Sequence, residues 1–125
     1  MESFMELTKD GIVTTQAVDG ILVVHFSMGR IREEREVLRV LTELGEFIEL
    51  NPGGEVLVNL ENIEYLSSAG LGALVGLLKR SRKGNGQLKL CCVQPSIYEL
   101  FEVMRLTRIF EILDDQDAAI TSFRS

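Results

Sequence analysis

In 125 residues, 46% of them hydrophobic and 26% charged, there is room for one soluble domain with a real core and none for two. A formal net charge of -6 removes the basic footprint on which general nucleic-acid binding depends. No apolar run approaches the ~20 residues that cross a bilayer. The acidic Met1-Glu2-Ser3 start is unlike a signal peptide, so a cytoplasmic location with no direct membrane insertion is expected.

Ile12 to Val18 and Ile21 to Phe26 read as two strands joined at Asp19-Gly20, a dipeptide favoured in tight type I′ hairpins. From about Arg32 to Leu50, the apolar residues Val37, Leu38, Leu41, Leu44, Phe47 and Ile48 recur at helical spacing. Glu33, Glu34 and Glu36 suit the positive end of that helix. Asn51-Pro52-Gly53-Gly54 ends it with the strongest breaker cluster in the chain. Glu55 to Leu60 is a short apolar strand, as expected of a central strand buried on both faces.

After Ser68 a helix places Leu71, Leu74, Val75 and Leu78 on one side. Lys79, Arg80, Arg82 and Lys83 close it where cations suit the dipole, and Gly84 caps it. Leu88 to Val93 is the next strand. Its adjacent Cys91 and Cys92 should point to opposite faces, a poor intrachain disulfide, and their spacing fits no zinc motif. They read as free thiols of a reducing cytoplasm. Pro95 and Ser96 then start a helix with Ile97, Leu100, Phe101 and Met104 as its stripe, and Met104 and Leu106 read as core. Ile109 to Leu113 is a brief strand. Asp114, Asp115 and Asp117 lead a last helix whose inner face includes Ala119, Ile120 and Phe123. The order β-β-α-β-α-β-α-β-α predicts an α/β domain spanning the whole chain, with about four α-helices on a mixed, largely parallel sheet of about four or five strands.

The chemistry concentrates between the third strand and its helix. Val56-Leu57-Val58-Asn59-Leu60-Glu61 is followed by Ser67-Ser68-Ala69-Gly70-Leu71-Gly72, so two serines stand at a helix start. Unpaired N–H groups and the positive dipole end favour an added anion there. Either serine can cap the helix, and the same N–H groups would hold a phosphate on a cap.

This segment resembles the signature of the STAS family, in particular the bacterial anti-sigma factor antagonists. Their pattern is an apolar strand, an Asn-Leu-Glu-like turn, then Asp-Ser-[Ser/Thr/Ala]-Gly-Leu-Gly opening a helix. The likeness continues through Leu88-Lys89-Leu90-Cys91-Cys92-Val93-Gln94-Pro95-Ser96 and from Leu100 to Ile112. The family's phosphorylated serine falls on Ser68, with Ser67 the lesser candidate, since it stands where the family has an acid. A second departure is Phe26-Ser27-Met28-Gly29-Arg30-Ile31-Arg32, where members carry a Gly-Glu-Leu-Asp-like turn.

The resemblance implies a STAS fold and a non-enzymatic switch. The unmodified chain would bind an anti-sigma factor that is also a serine kinase and so free a sigma factor. Phosphorylation of Ser68 would end that binding, and a phosphatase would restore it. ATP would belong to the partner, and no cofactor or metal is expected of this chain. The expected contact surface comprises Asn59, Glu61, Asn62, Glu64, Ser67, Ala69, Gly70 and Gly72, with Arg30 and Arg32 available to an acidic partner. Asn59, Glu61, Asn62 and Glu64 equally serve as turn residues satisfying local backbone. Gly70 and Gly72 either let the helix pack closely or leave the serine bare to a kinase.

Other readings compete. Gly70-x-Gly72 resembles the start of a dinucleotide fingerprint, yet Val75 stands where its third glycine belongs and Leu90 offers no carboxylate for a ribose. His25, the sole histidine, reads as packed or solvated, and no nucleophile–base–acid set that would make an enzyme is found. A STAS adaptor without a switch, serving a signalling assembly or a membrane transporter, is the alternative.

Overall fold

A computed structural model of the protein describes residues 11–27 and 34–124. The chain runs β1 (Val13–Val18), β2 (Ile21–Phe26), α1 (Glu34–Leu50), β3 (Glu55–Asn59), α2 (Ser68–Lys83), β4 (Gln87–Cys91), α3 (Pro95–Val103), a 3-10 turn (Leu106–Arg108), β5 (Ile112–Leu113) and α4 (Gln116–Ser122). The strands form one sheet in the order β1-β2-β3-β4-β5, with β1 antiparallel to β2 and the remaining pairs parallel. Asp19 and Gly20 join the hairpin with φ of 52° and 81°, the two positive values that a type I′ turn demands.

Period-two alternation divides the sheet between two cores. Leu22, Val24, Phe26, Val56, Val58, Leu88 and Leu90 share the larger one with Val40, Leu41 and Leu44 of α1, Leu74 and Leu77 of α2, and Phe101 of α3. On the opposite face Ile21, Val23, Leu57 and Cys91 pack against Ala119 and Phe123 of α4. Lys89 lies between two leucines in β4 and so points to this second face. There its Nζ meets Glu111 Oε2 at 3.3 Å, Ser122 Oγ at 2.9 Å and the Phe123 ring at 4.6 Å.

Three sequence expectations change at the C-terminal end. Helix α3 stops at Val103, because Arg105 takes a left-handed φ of 60°. Its buried stripe is therefore Ile97 and Phe101 alone, while Leu100, Val103 and Met104 are 37%, 78% and 54% exposed. The expected strand from Ile109 shrinks to Ile112–Leu113, since the Leu106–Arg108 turn first swings Phe110 edge-on against Phe101. Strand β4 ends at Cys91, where its pairing with β5 runs out. Cys92 then adopts a φ of 63°, so the two thiols do not take opposite faces and their sulfurs stand 3.1 Å apart.

Candidate functional site

The loop from Leu60 to Ser67 carries the chain from the carboxyl end of β3 to the start of α2, and its own polar side chains tie it down. Asn59 is buried and works in two directions. Its Oδ1 accepts from the Glu61 N–H at 3.0 Å, while its Nδ2 donates to Gln116 Oε1 at 3.0 Å. Asn62 Nδ2 donates to the Phe26 carbonyl at 2.8 Å, closing the end of β2. Gln94 Nε2 donates to the Glu61 carbonyl at 2.7 Å. The Glu61 side chain meets His25 Nε2 at 2.6 Å, a strand-to-loop contact that a lone strand histidine does not advertise in sequence. Ile63 and Leu66 bury themselves under the loop, whereas Glu61, Glu64 and Tyr65 face outward.

At the helix start the serines divide the work. Ser67 is the N-cap: its extended backbone (φ -82°, ψ 174°) lets Oγ accept from the Gly70 N–H at 3.1 Å. Its carbonyl takes the Leu71 N–H at 2.9 Å. Such a cap contributes about 1 kcal/mol. Ser68 is thereby released from capping. It is the first helical residue, it is exposed, and its hydroxyl makes no hydrogen bond to another described residue. With the Gly70 and Leu71 donors occupied, the N–H groups of Ser68 and Ala69 are those left at the dipole's positive end. No acidic side chain occupies the first turn of α2 to oppose an anion there.

The two glycines differ. Gly70 is buried, and a β-carbon there would come within 2.6 Å of Leu66 Cδ1, so its close approach is to the preceding loop rather than to another helix. Gly72 is exposed, and a β-carbon there would meet nothing within 4 Å, so packing gives no reason for it. Among the residues expected at a contact surface, Glu61, Glu64, Ala69 and Gly72 are exposed, as is Ser68, while Asn62 and Ser67 are half-buried. Asn59 and Gly70 are buried and offer a partner no side-chain surface; they position the loop and the helix start instead. Arg30 and Arg32 lie outside the described residues. Among the described residues no group of three His, Cys, Asp or Glu side chains is placed to hold a metal, and no helix is long and apolar enough to cross a membrane.

Comparison with known proteins gives this arrangement a family. The Anti-sigma F factor antagonist of Paenibacillus polymyxa is 26% identical over 102 residues, covering 82% of this chain and 86% of its own length. An anti-sigma-factor antagonist (STAS) domain protein from Planctomyces limnophilus superposes with a TM-score of 0.80 at 21% identity, over 90% of this chain and 98% of that one. The Bacillus cell fate determinant SpoIIAA, solved in a phosphorylated form, superposes with a TM-score of 0.67 at 17% identity, over 89% and 98% of the two chains. The STAS domain pattern itself matches residues 12–119. From the opening hairpin to α4, this chain belongs to the STAS domain family.

Proposed function

We propose that this protein is an anti-sigma factor antagonist whose binding is switched by phosphorylation of Ser68. The observation that carries this reading is Ser68, exposed at the start of α2 with a hydroxyl that makes no hydrogen bond to another described residue, because Ser67 caps the helix. In the unmodified form, the rim formed by Glu61, Glu64, Tyr65, Ser68, Ala69 and Gly72 binds an anti-sigma factor, which lets go of its sigma factor. That anti-sigma factor is also the serine kinase, and it supplies the ATP.

Transfer of the γ-phosphoryl group to Ser68 Oγ puts roughly -1.5 to -2 charge at the centre of the contact. The N–H groups of Ser68 and Ala69 and the helix dipole accept that charge on this chain's side. The partner's surface, matched to a neutral hydroxyl, does not, so the complex dissociates. A phosphatase resets the cycle. The chain needs no catalytic group for this role, and the site of action is the cytoplasm.

A non-switching adaptor is the second reading. It is favoured by the hydroxyl of Ser67 where the family pattern has an acid, and by a STAS-like fold within a murine anion transporter (TM-score 0.62, 13% identity, 18% of that chain). The test is release. Adding the purified protein to the complex of the cognate anti-sigma factor and its sigma factor should liberate sigma in proportion to the protein added. A complex left intact at a tenfold excess rejects the antagonist role.

A further inference from the structure

Cys91 and Cys92 are the chain's two cysteines, and the fold brings them together at the end of β4. The left-handed backbone of Cys92 turns its side chain back, so that its Sγ donates to Cys91 Sγ across 3.1 Å. A disulfide needs about 2.05 Å, so bond formation asks the sulfurs to close by only about 1 Å. Cys91 is fully buried against Ile21, Val23, Leu57 and Ala119, while Cys92 is half-buried and reachable from outside. One thiol is thus open to a small oxidant and the other is held beside it.

We infer that Cys91 and Cys92 form a modification site, closed by hydrogen peroxide into a disulfide between adjacent residues. Cys92 Sγ attacks one peroxide oxygen, the O–O bond breaks, and Cys92 becomes a sulfenic acid with release of water. Cys91 Sγ then attacks Cys92 Sγ, the S–O bond breaks, and the hydroxyl leaves as water with the proton of Cys91. Two electrons pass from sulfur to oxygen, and hydrogen peroxide becomes two waters.

Adjacent α-carbons stand about 3.8 Å apart across a trans peptide, shorter than the usual disulfide range of about 4.4–6.8 Å. The closed ring is therefore strained and readily reduced, as suits a reversible mark rather than a structural staple. Burial first, then the neighbouring thiol and the Glu61 and Asp115 carboxylates, hold Cys91 above the ordinary thiol range. Burial with the same two carboxylates raises Cys92, against opposing hydrogen bonds from the Cys91 side chain and the Gln116 backbone. Closure is accordingly slow at neutral pH and quickens as pH rises through the thiol range.

The test treats the full chain with hydrogen peroxide, then alkylates it unfolded without reductant and weighs it. The expected product is a monomer lighter by two hydrogen atoms, blocked at both cysteines, and returned by dithiothreitol to a form that takes two alkyl groups. Cys92→Ser should lose this product and keep Cys91 alkylatable after the same exposure. Oxygen addition at Cys92 with Cys91 still free, a Cys92-linked dimer, or two thiols unchanged would each overturn the assignment. The outcome is independent of whether Ser68 is phosphorylated.

Discussion

Phe101→Ala is expected to lower the stability of the fold by about 4 kcal/mol, the largest loss anticipated from one truncation on the helical face. Phe101 is fully buried in the main core, and it meets Phe110 edge-on with ring centroids 5.7 Å apart at 70°. Removing the ring leaves a cavity that α3, only nine residues long, must collapse around. It also forfeits the aromatic pair, itself worth about 0.5–1.5 kcal/mol. The loss reaches further, because Phe110 anchors the turn that leads into β5. Urea unfolding checks the expectation: with a slope of about 1–3 kcal/mol per molar, the midpoint should fall by about 2 M. Val103→Ala, at a position 78% exposed on the same helix, should stay within about 0.5 kcal/mol. A shift for Phe101→Ala no larger than that of Val103→Ala would contradict the packing described.

Ser68→Asp is expected to weaken binding to the cognate anti-sigma factor by about 100-fold, close to 2.7 kcal/mol. Ser68→Ala should leave binding within about threefold, about 0.7 kcal/mol. The contrast follows from what each change does. Alanine removes a hydroxyl that makes no hydrogen bond to another described residue. Aspartate places a full charge where a close contact excludes water, and an uncompensated charge buried in an interface costs about 2–5 kcal/mol. Unfolding does not explain the loss, since a carboxylate in the first turn of α2 favours the helix by about 0.3–1 kcal/mol. Titration calorimetry of the three forms, with thermal melts in parallel, separates affinity from stability. Equal affinities for Ser68→Asp and the parent would remove electrostatic exclusion as the basis of the switch.

Much of the architecture was legible from local signals. The Asp19-Gly20 hairpin, the Asn51-Pro52-Gly53-Gly54 break and the serine pair before α2 mark element ends chemically, and α2 spans Ser68–Lys83 as its spacing predicts. Where the sequence misled, the cause was tertiary. Leu100 and Met104 fit a helical stripe, but nothing in that spacing reveals that Arg105 turns left-handed and leaves them outside. Cys92 continues an apolar run as a strand would, and its N–H still donates to the Leu113 carbonyl of β5 at 3.1 Å, yet its left-handed φ of 63° turns the chain out of the strand. The His25–Glu61 contact joins residues 36 apart in sequence and depends on the parallel register of β2 and β3. At the site, the pattern pointed to two serines without assigning the cap. The geometry gives that bond to Ser67, and Asn59 and Gly70 turn inward because the loop needs them.

The measurement that bears most directly on the proposed switch is the location of phosphate after incubation with the cognate kinase and ATP. Peptide mapping by mass spectrometry should find a single phosphoryl group on Ser68, and Ser68→Ala should take up none. Phosphate that settles on Ser67 or elsewhere, or that persists at the parent level in Ser68→Ala, would contradict the account.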